Sequence, residues 1–226
     1  MCGRFVVNQG TAHLLDLFDG PDDTPTSFNV APTSDVRVVR EHKGERSLVP
    51  VRWGMVAPRA PKFGGGKPVI NARIETVASN GLFKGPFTSH RCIVPANGYY
   101  EWQQRDDGKQ PFYIYDPDHP IAMAGVIRAW SDPASNSDDP DRWKLSMAII
   151  TRDAHVAPGE VHDRMPACLT PEEYDQWLGD GLSTDELLQL LDFSSKDVAG
   201  KLSLYEVSRD VNSVKNDSPE LIAPVQ

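Results

Sequence analysis

Long apolar runs are what this sequence most lacks: nowhere in its 226 residues do the roughly 18 consecutive apolar residues of a membrane-spanning helix occur. Its first residues, Met1-Cys2-Gly3-Arg4-Phe5, have neither the basic stretch nor the apolar core of a secretory signal. A cytoplasmic location is therefore expected, nucleoid-associated if the source is bacterial. Cysteine is scarce. Cys2, Cys92 and Cys168 are odd in number and widely spaced, which argues against a disulfide framework and for reduced thiols. There is no HExxH and no paired CxxC, so no metal is expected. GxSxG is also missing, and Gly64-Gly65-Gly66-Lys67-Pro68 fails as a phosphate loop because proline follows the lysine. Serine-hydrolase and nucleotide-hydrolase chemistry lose their sequence support, and no cofactor is implied.

A shortage of positive charge argues at first against nucleic acid, since phosphate contacts need Lys and Arg and the net charge is -9. The total hides an asymmetry. Residues 1–100 carry 12 Lys+Arg against 8 Asp+Glu, whereas residues 101–226 carry 11 against 24. Fields fade within about 8 Å at physiological salt, so a local basic groove is compatible with an acidic molecule.

Short apolar or alternating runs dominate what is present. Residues 4–7, 36–40, 48–53, 91–94, 99–103, 112–115, 121–127 and 145–151 read as strands. Asp106-Asp107-Gly108 reads as a hairpin turn that makes its flanking strands antiparallel. Helices are fewer: 11–18 has helical spacing, while Thr170 to Glu173 and Ser183 to Glu186 each match a capping box. Residues 57–68 and 131–141 read as irregular loops. The length is about 1.5 times that of a usual domain, and no repeat or linker divides the chain, so one domain over 1–226 is expected. Strands in runs with helices set apart point to an α+β fold with a mainly antiparallel β core.

Cys2 is the unusual residue. Removal of the initiator methionine, general when the second residue is small, leaves one residue with two nucleophiles. An α-amine has a pKa of about 7.7 to 8.0, against about 10.4 for lysine, so part of it is neutral near pH 7. It can attack an aldehyde, and the neighbouring thiol can close the imine into a five-membered thiazolidine. Taken alone, a cysteine after Met1 is usually an ordinary side chain.

Six blocks give it a setting: Met1 to Phe5, Asn29-Val30-Ala31-Pro32, Trp53-Gly54, Ile70 to Thr76 (INARIET), Pro95 to Trp102 (PANGYYEW) and His162-Asp163-Arg164-Met165-Pro166. In this order they closely resemble the SRAP family, the SOS-response-associated abasic-site processing proteins once described as peptidases. A weaker match follows near Val214-Lys215-Asn216. The resemblance implies a barrel-like β core with a few peripheral helices, and a DNA-repair activity on single-stranded DNA containing abasic sites.

By the same resemblance Cys2 is the covalent nucleophile, which shields the lesion as a thiazolidine, with crosslink reversal and strand cleavage as a lyase as further activities. Asn71 bonds near the Cys2 backbone, Glu101 is the general acid/base, and His162 helps open the sugar ring. Those roles suit an uncharged amide, a carboxyl lifted by burial and an imidazole of pKa about 6.5. Without the family, Asn71 would be a turn residue, Glu101 part of a solvated face and His162 structural. Arg4, Arg73 and Arg164 are phosphate-contact candidates, because guanidinium forks match phosphate oxygens. Pro32 and Thr151 are expected to line the lesion pocket. The family often places a wedge tryptophan after Trp53-Gly54, and none lies in 57–63 here; base stacking would pass to Phe63, with Arg59 and Lys62 on the backbone. A monomer is expected, with no membrane partner. Two other readings stay open: a cysteine peptidase using Cys2 with His162, and a noncatalytic single-strand binder.

Overall fold

The computed structural model describes residues 2–17, 20–155 and 157–225. In chain order the strands begin with β1 (Phe5–Val7), β2 (Ser27–Val30), β3 (Asp35–His42), β4 (Glu45–Trp53) and β5 (Asn71–Arg73). They continue with β6 (Arg91–Ala96), β7 (Gly98–Arg105), β8 (Gly108–Tyr115), β9 (Ile121–Ser131) and β10 (Trp143–Asp153). Three short ones follow, β11 (Arg164–Pro166), β12 (Cys168–Leu169) and β13 (Ser203–Glu206). The helices are α1 (Ile74–Val77), α2 (Lys84–Ser89), α3 (Tyr174–Leu178) and α4 (Thr184–Lys201).

Strands β4, β3, β6, β9 and β10 close into a five-stranded barrel. Four of its pairings are antiparallel; the closing one, between β10 and β4, is parallel. Closure removes the unpaired edges that an open sheet would present. A second sheet, in the order β13-β8-β7-β1-β2, lies beside it. The fold is thus α+β with a barrel core, as the resemblance implied.

Alternation sends successive residues of the barrel strands into two different apolar clusters. Val38, Cys92, Val94, Met123, Met147 and Ile149 pack in one cluster with Phe5 and Tyr99 of the second sheet. Their strand neighbours Val39, Ile93, Ala124 and Ala148 pack in another, with Phe87, Trp177, Leu187 and Leu191 of the helices. Where both faces are covered, as along β6 and most of β9 and β10, the sequence reads as a near-continuous apolar run, whereas β3 and β4 keep charged residues between their apolar ones. Gly125 is needed in β9, since a Cβ there would come 2.8 Å from Cys92 Sγ.

All eight expected strands are present, most of them longer than the alternation indicated. Asp106-Asp107 does turn β7 into β8, with Arg105 opposite Gly108. The expected helix at 11–18 is corrected: only His13–Leu15 forms a single 3-10 turn, ended by Asp16 with φ 49°, and Phe18 lies outside the described residues. Tertiary partners satisfy this segment instead. Asp22 accepts the Ala12 N–H at 3.0 Å, and Thr11 hydroxyl meets Asn97 Oδ1 at 3.0 Å. The box at Ser183 forms in full and starts the 18-residue α4. At Thr170 the hydroxyl bonds the Glu173 carboxylate rather than a backbone N–H, and only a 3-10 turn and the short α3 follow.

Candidate active site

Strand register brings the chain start to the second half of PANGYYEW. β1 pairs antiparallel with β7, Phe5 opposite Tyr99, and the Tyr100 N–H donates to the Arg4 carbonyl at 3.0 Å. Continued outward, this register runs Gly3 and Cys2 alongside Glu101 and Trp102. On the other side β5 pairs in parallel with β10, Asn71 opposite Ile149. From there Asn71 Nδ2 donates to the Cys2 carbonyl at 3.0 Å, while its Oδ1 is buried with no partner among the described residues. Cys2 is fully buried.

Burial sets the proton affinities. The Cys2 thiol is pushed well above its ordinary value by burial and by the Glu101 carboxylate, so it stays a thiol near neutral pH. Glu101 is 2% exposed, and burial lifts its carboxyl to about 7, where it can both give and take a proton. His162 Nδ1 accepts the Arg164 N–H at 3.0 Å and also lies 2.8 Å from Asp163 Oδ1. A ring nitrogen that accepts cannot donate to a carboxylate as well. Burial lowers the pKa of His162 and favours the neutral ring, in which Nδ1 makes one of these two contacts or the other.

Gly3, Arg4, Pro32, Glu101 and His162 line one cleft of about 850 Å³. Trp102, Lys109 and Asn212 line it too and were missed in the sequence. Trp102 is the last residue of PANGYYEW, and its Nε1 donates to Asn212 Oδ1 at 2.7 Å. Lys109 and Asn212 carry no local signal, because only the β7–β8 hairpin and the chain's last segment bring them in.

The three arginines have different situations. Arg4 Nη1 donates to Asn29 Oδ1 at 2.8 Å and to the Val211 carbonyl at 2.9 Å, which fixes the fork at the cleft wall. Arg73 is exposed at the end of β5. Arg164 is engaged by Glu75 at 2.7 and 3.1 Å, Asp153 at 2.6 Å and the Thr151 carbonyl at 2.8 Å. Thr151 is fully buried beside it. Phe63 packs on Trp130 with ring centroids 5.6 Å apart, and Trp130 Nε1 ties that loop through the Ala60 carbonyl at 2.9 Å. Cys2, buried behind Gly3, and Asn71 are not among the lining residues of the cleft, and neither are Arg73, Arg164, Thr151 and Phe63.

Residues 1–214 match the family described as SOS response associated peptidase (SRAP). The chain belongs to the SRAP family. It is 36% identical over 234 residues to the abasic site processing protein YedK of Escherichia coli, with all of both chains covered. It is 34% identical over 229 residues to YoqW of Bacillus subtilis, also named an abasic site processing protein, covering 98% of this chain and 99% of that one. Chicken HMCES, of the same description, is 33% identical over all of this chain and 78% of its own. Among solved structures a Bacteroides thetaiotaomicron protein shares this fold with a TM-score of 0.80, at 23% identity and full coverage of both chains.

Proposed function

We propose that this protein, once Met1 is removed, bonds covalently through Cys2 to abasic sites in single-stranded DNA and so shields the lesion. The neutral α-amine attacks the open-chain aldehyde carbon of the abasic sugar. Water leaves as the imine forms, and Sγ then adds to the imine carbon while its proton passes to nitrogen, closing a thiazolidine. Glu101, with a carboxyl near 7, supplies a proton to the departing hydroxyl and recovers one on reversal. His162, a neutral imidazole, assists opening of the sugar ring by proton transfer in the same cleft. An imine also permits elimination at the neighbouring phosphate, which is the lyase route. Unpaired strands fit this chemistry, because exposing the nucleotide costs least there.

The observation that carries the reading is the buried Cys2 held by Asn71 beside a carboxyl poised near 7. The same burial disfavours a thiolate, and with it a cysteine peptidase. The test is a denaturing gel of Met1-processed protein with a single strand bearing one abasic site. A shifted band is expected with wild type and none with Cys2→Ala; no band, or the same band in both, would overturn it.

A further inference from the structure

The opposite mouth of the barrel holds a second pocket, of about 260 Å³, that the Cys2 chemistry does not use. β10 runs from Leu145, beside this pocket, to Thr151 at the reactive end, six residues at about 3.3 Å each, so the two lie roughly 20 Å apart.

Arg40, His42 and Lys43, from the end of β3 and its turn, form the rim with His90 from the end of α2. The two carboxylates that line the pocket are already engaged: Glu41 accepts from Arg46 Nε at 3.3 Å, and Asp180 lies 3.5 Å from Arg91 Nη2. Among the described residues neither Arg40 nor Lys43 has an ion-pair partner, and Arg40 Nε is buried without a hydrogen bond; Arg128, outside the lining, adds its charge nearby while donating to the Leu82 carbonyl at 2.6 Å. Positive charge is therefore in excess here, in a molecule of net charge -9. His90 registers that excess, for burial and then His42, Arg128 and Arg40 lower its pKa. Lys43 sits at φ 55° and Gly44 at φ 79°, a mirror-image hairpin turn that favours Asn or Gly at the first position, yet a lysine stands there at the rim. Below the rim the pocket is apolar, walled by Ile127, Leu145 and Leu178, with Ala129 exposed at its edge.

Unsatisfied cationic donors call for an oxyanion, and apolar walls beneath them call for a flat, poorly hydrated group joined to it. The geometry points to a nucleotide-binding pocket, with the phosphate held by Arg40 and Lys43 and the base or sugar resting against these walls. The nucleotide comes either free or as one unit of a strand that continues toward the Cys2 cleft. This inference does not rest on the Cys2 chemistry.

Isothermal titration with AMP at low salt tests it on wild type and on Arg40→Gln/Lys43→Gln, with thermal unfolding to check the fold. Lys43→Gln alone, at an exposed turn, serves if the double variant is unstable. Saturable AMP binding is expected, weakened about tenfold by the double substitution and severalfold by the single one, with adenosine and inorganic phosphate each binding less tightly. An undamaged single strand of about 20 nucleotides separates the sources. An affinity lowered about threefold or more in the variant, with displacement by AMP, assigns the strand, and an unchanged affinity assigns the free nucleotide. AMP bound equally by wild type and variant, or not bound by wild type, overturns the inference. Adduct formation with an abasic oligonucleotide of about three residues, which extended reaches well short of the roughly 20 Å between the sites, should be untouched by either substitution and reports separately on Cys2.

Discussion

Asn71 and Cys2 are joined across the two sheets by a 3.0 Å hydrogen bond from the side-chain amide to the backbone carbonyl. Because the acceptor is a main-chain oxygen, the bond fixes residue 2 whatever its side chain, and with it the α-amine on the same Cα. A net bond of this kind contributes about 0.5–1.5 kcal/mol, so Asn71→Ala should slow adduct formation about two- to tenfold. Asn71→Asp keeps the shape and loses the donor, and should be at least as slow. Single-turnover rates on an abasic oligonucleotide check this; unchanged rates in both variants would remove the positioning role.

The buried, protonated thiol places the amine first in the reaction order. Cys2→Ser, processed at Met1, retains that amine and lacks the sulfur that closes a stable ring. Its expected product is an adduct seen on denaturing gels only after borohydride reduction, whereas the wild-type adduct persists without it. A Cys2→Ser protein that cannot be trapped by borohydride would show that sulfur, not nitrogen, begins the reaction.

The barrel strands were legible because β3, β4, β9 and β10 are long enough to display their period. Of the strands of three or four residues, β1 showed as a continuous apolar run, but β2, β5 and β13 mix polar and apolar residues over too few positions for a period to show, and β5 carries Asn71. The parallel closure of β10 on β4 is a long-range pairing with no local signature. At the site, residue types were readable from the blocks, but environments were not. Glu101 lies between Tyr100 and Trp102 on a strand, which reads equally as a wet face, and only packing of the second sheet on the barrel makes it 2% exposed. Arg164 looked available for phosphate because its main partner, Glu75, is 89 residues away.

Glu101 should couple stability to pH against the usual direction for a carboxylate. Its carboxyl is raised from 4.5 to about 7 in the fold, so between those values the folded protein keeps a proton that the unfolded chain has lost. Stability therefore falls as pH rises through that window. Glu101→Gln has no charge to bury and should gain stability above pH 7, by at most about 3 kcal/mol, with no gain near pH 4. Adduct formation should slow in the same variant and lose any inflection near pH 7. Urea unfolding at both pH values checks the first part, and equal differences at pH 4 and pH 8 would refute it.

Arg73 and Arg164 should separate cleanly, although the sequence offers them as equals. Arg164 has a side chain only 10% exposed, held by Glu75 and Asp153, so Arg164→Ala leaves two carboxylates facing each other and opens a space under Thr151. Those carboxylates are 46% and 75% exposed and partly solvated, which puts the expected loss at about 1–3 kcal/mol, below that for a fully buried pair. Arg73 is exposed, so Arg73→Ala should leave stability unchanged within about 0.5 kcal/mol. Its effect belongs to binding: one lost phosphate contact lowers the slope of log affinity against log salt by about 0.7 for a single strand, uniformly across unrelated sequences. Urea unfolding and salt titrations of both variants decide the matter. A stable Arg164→Ala with a reduced salt slope would mean that this guanidinium leaves Glu75 to meet DNA.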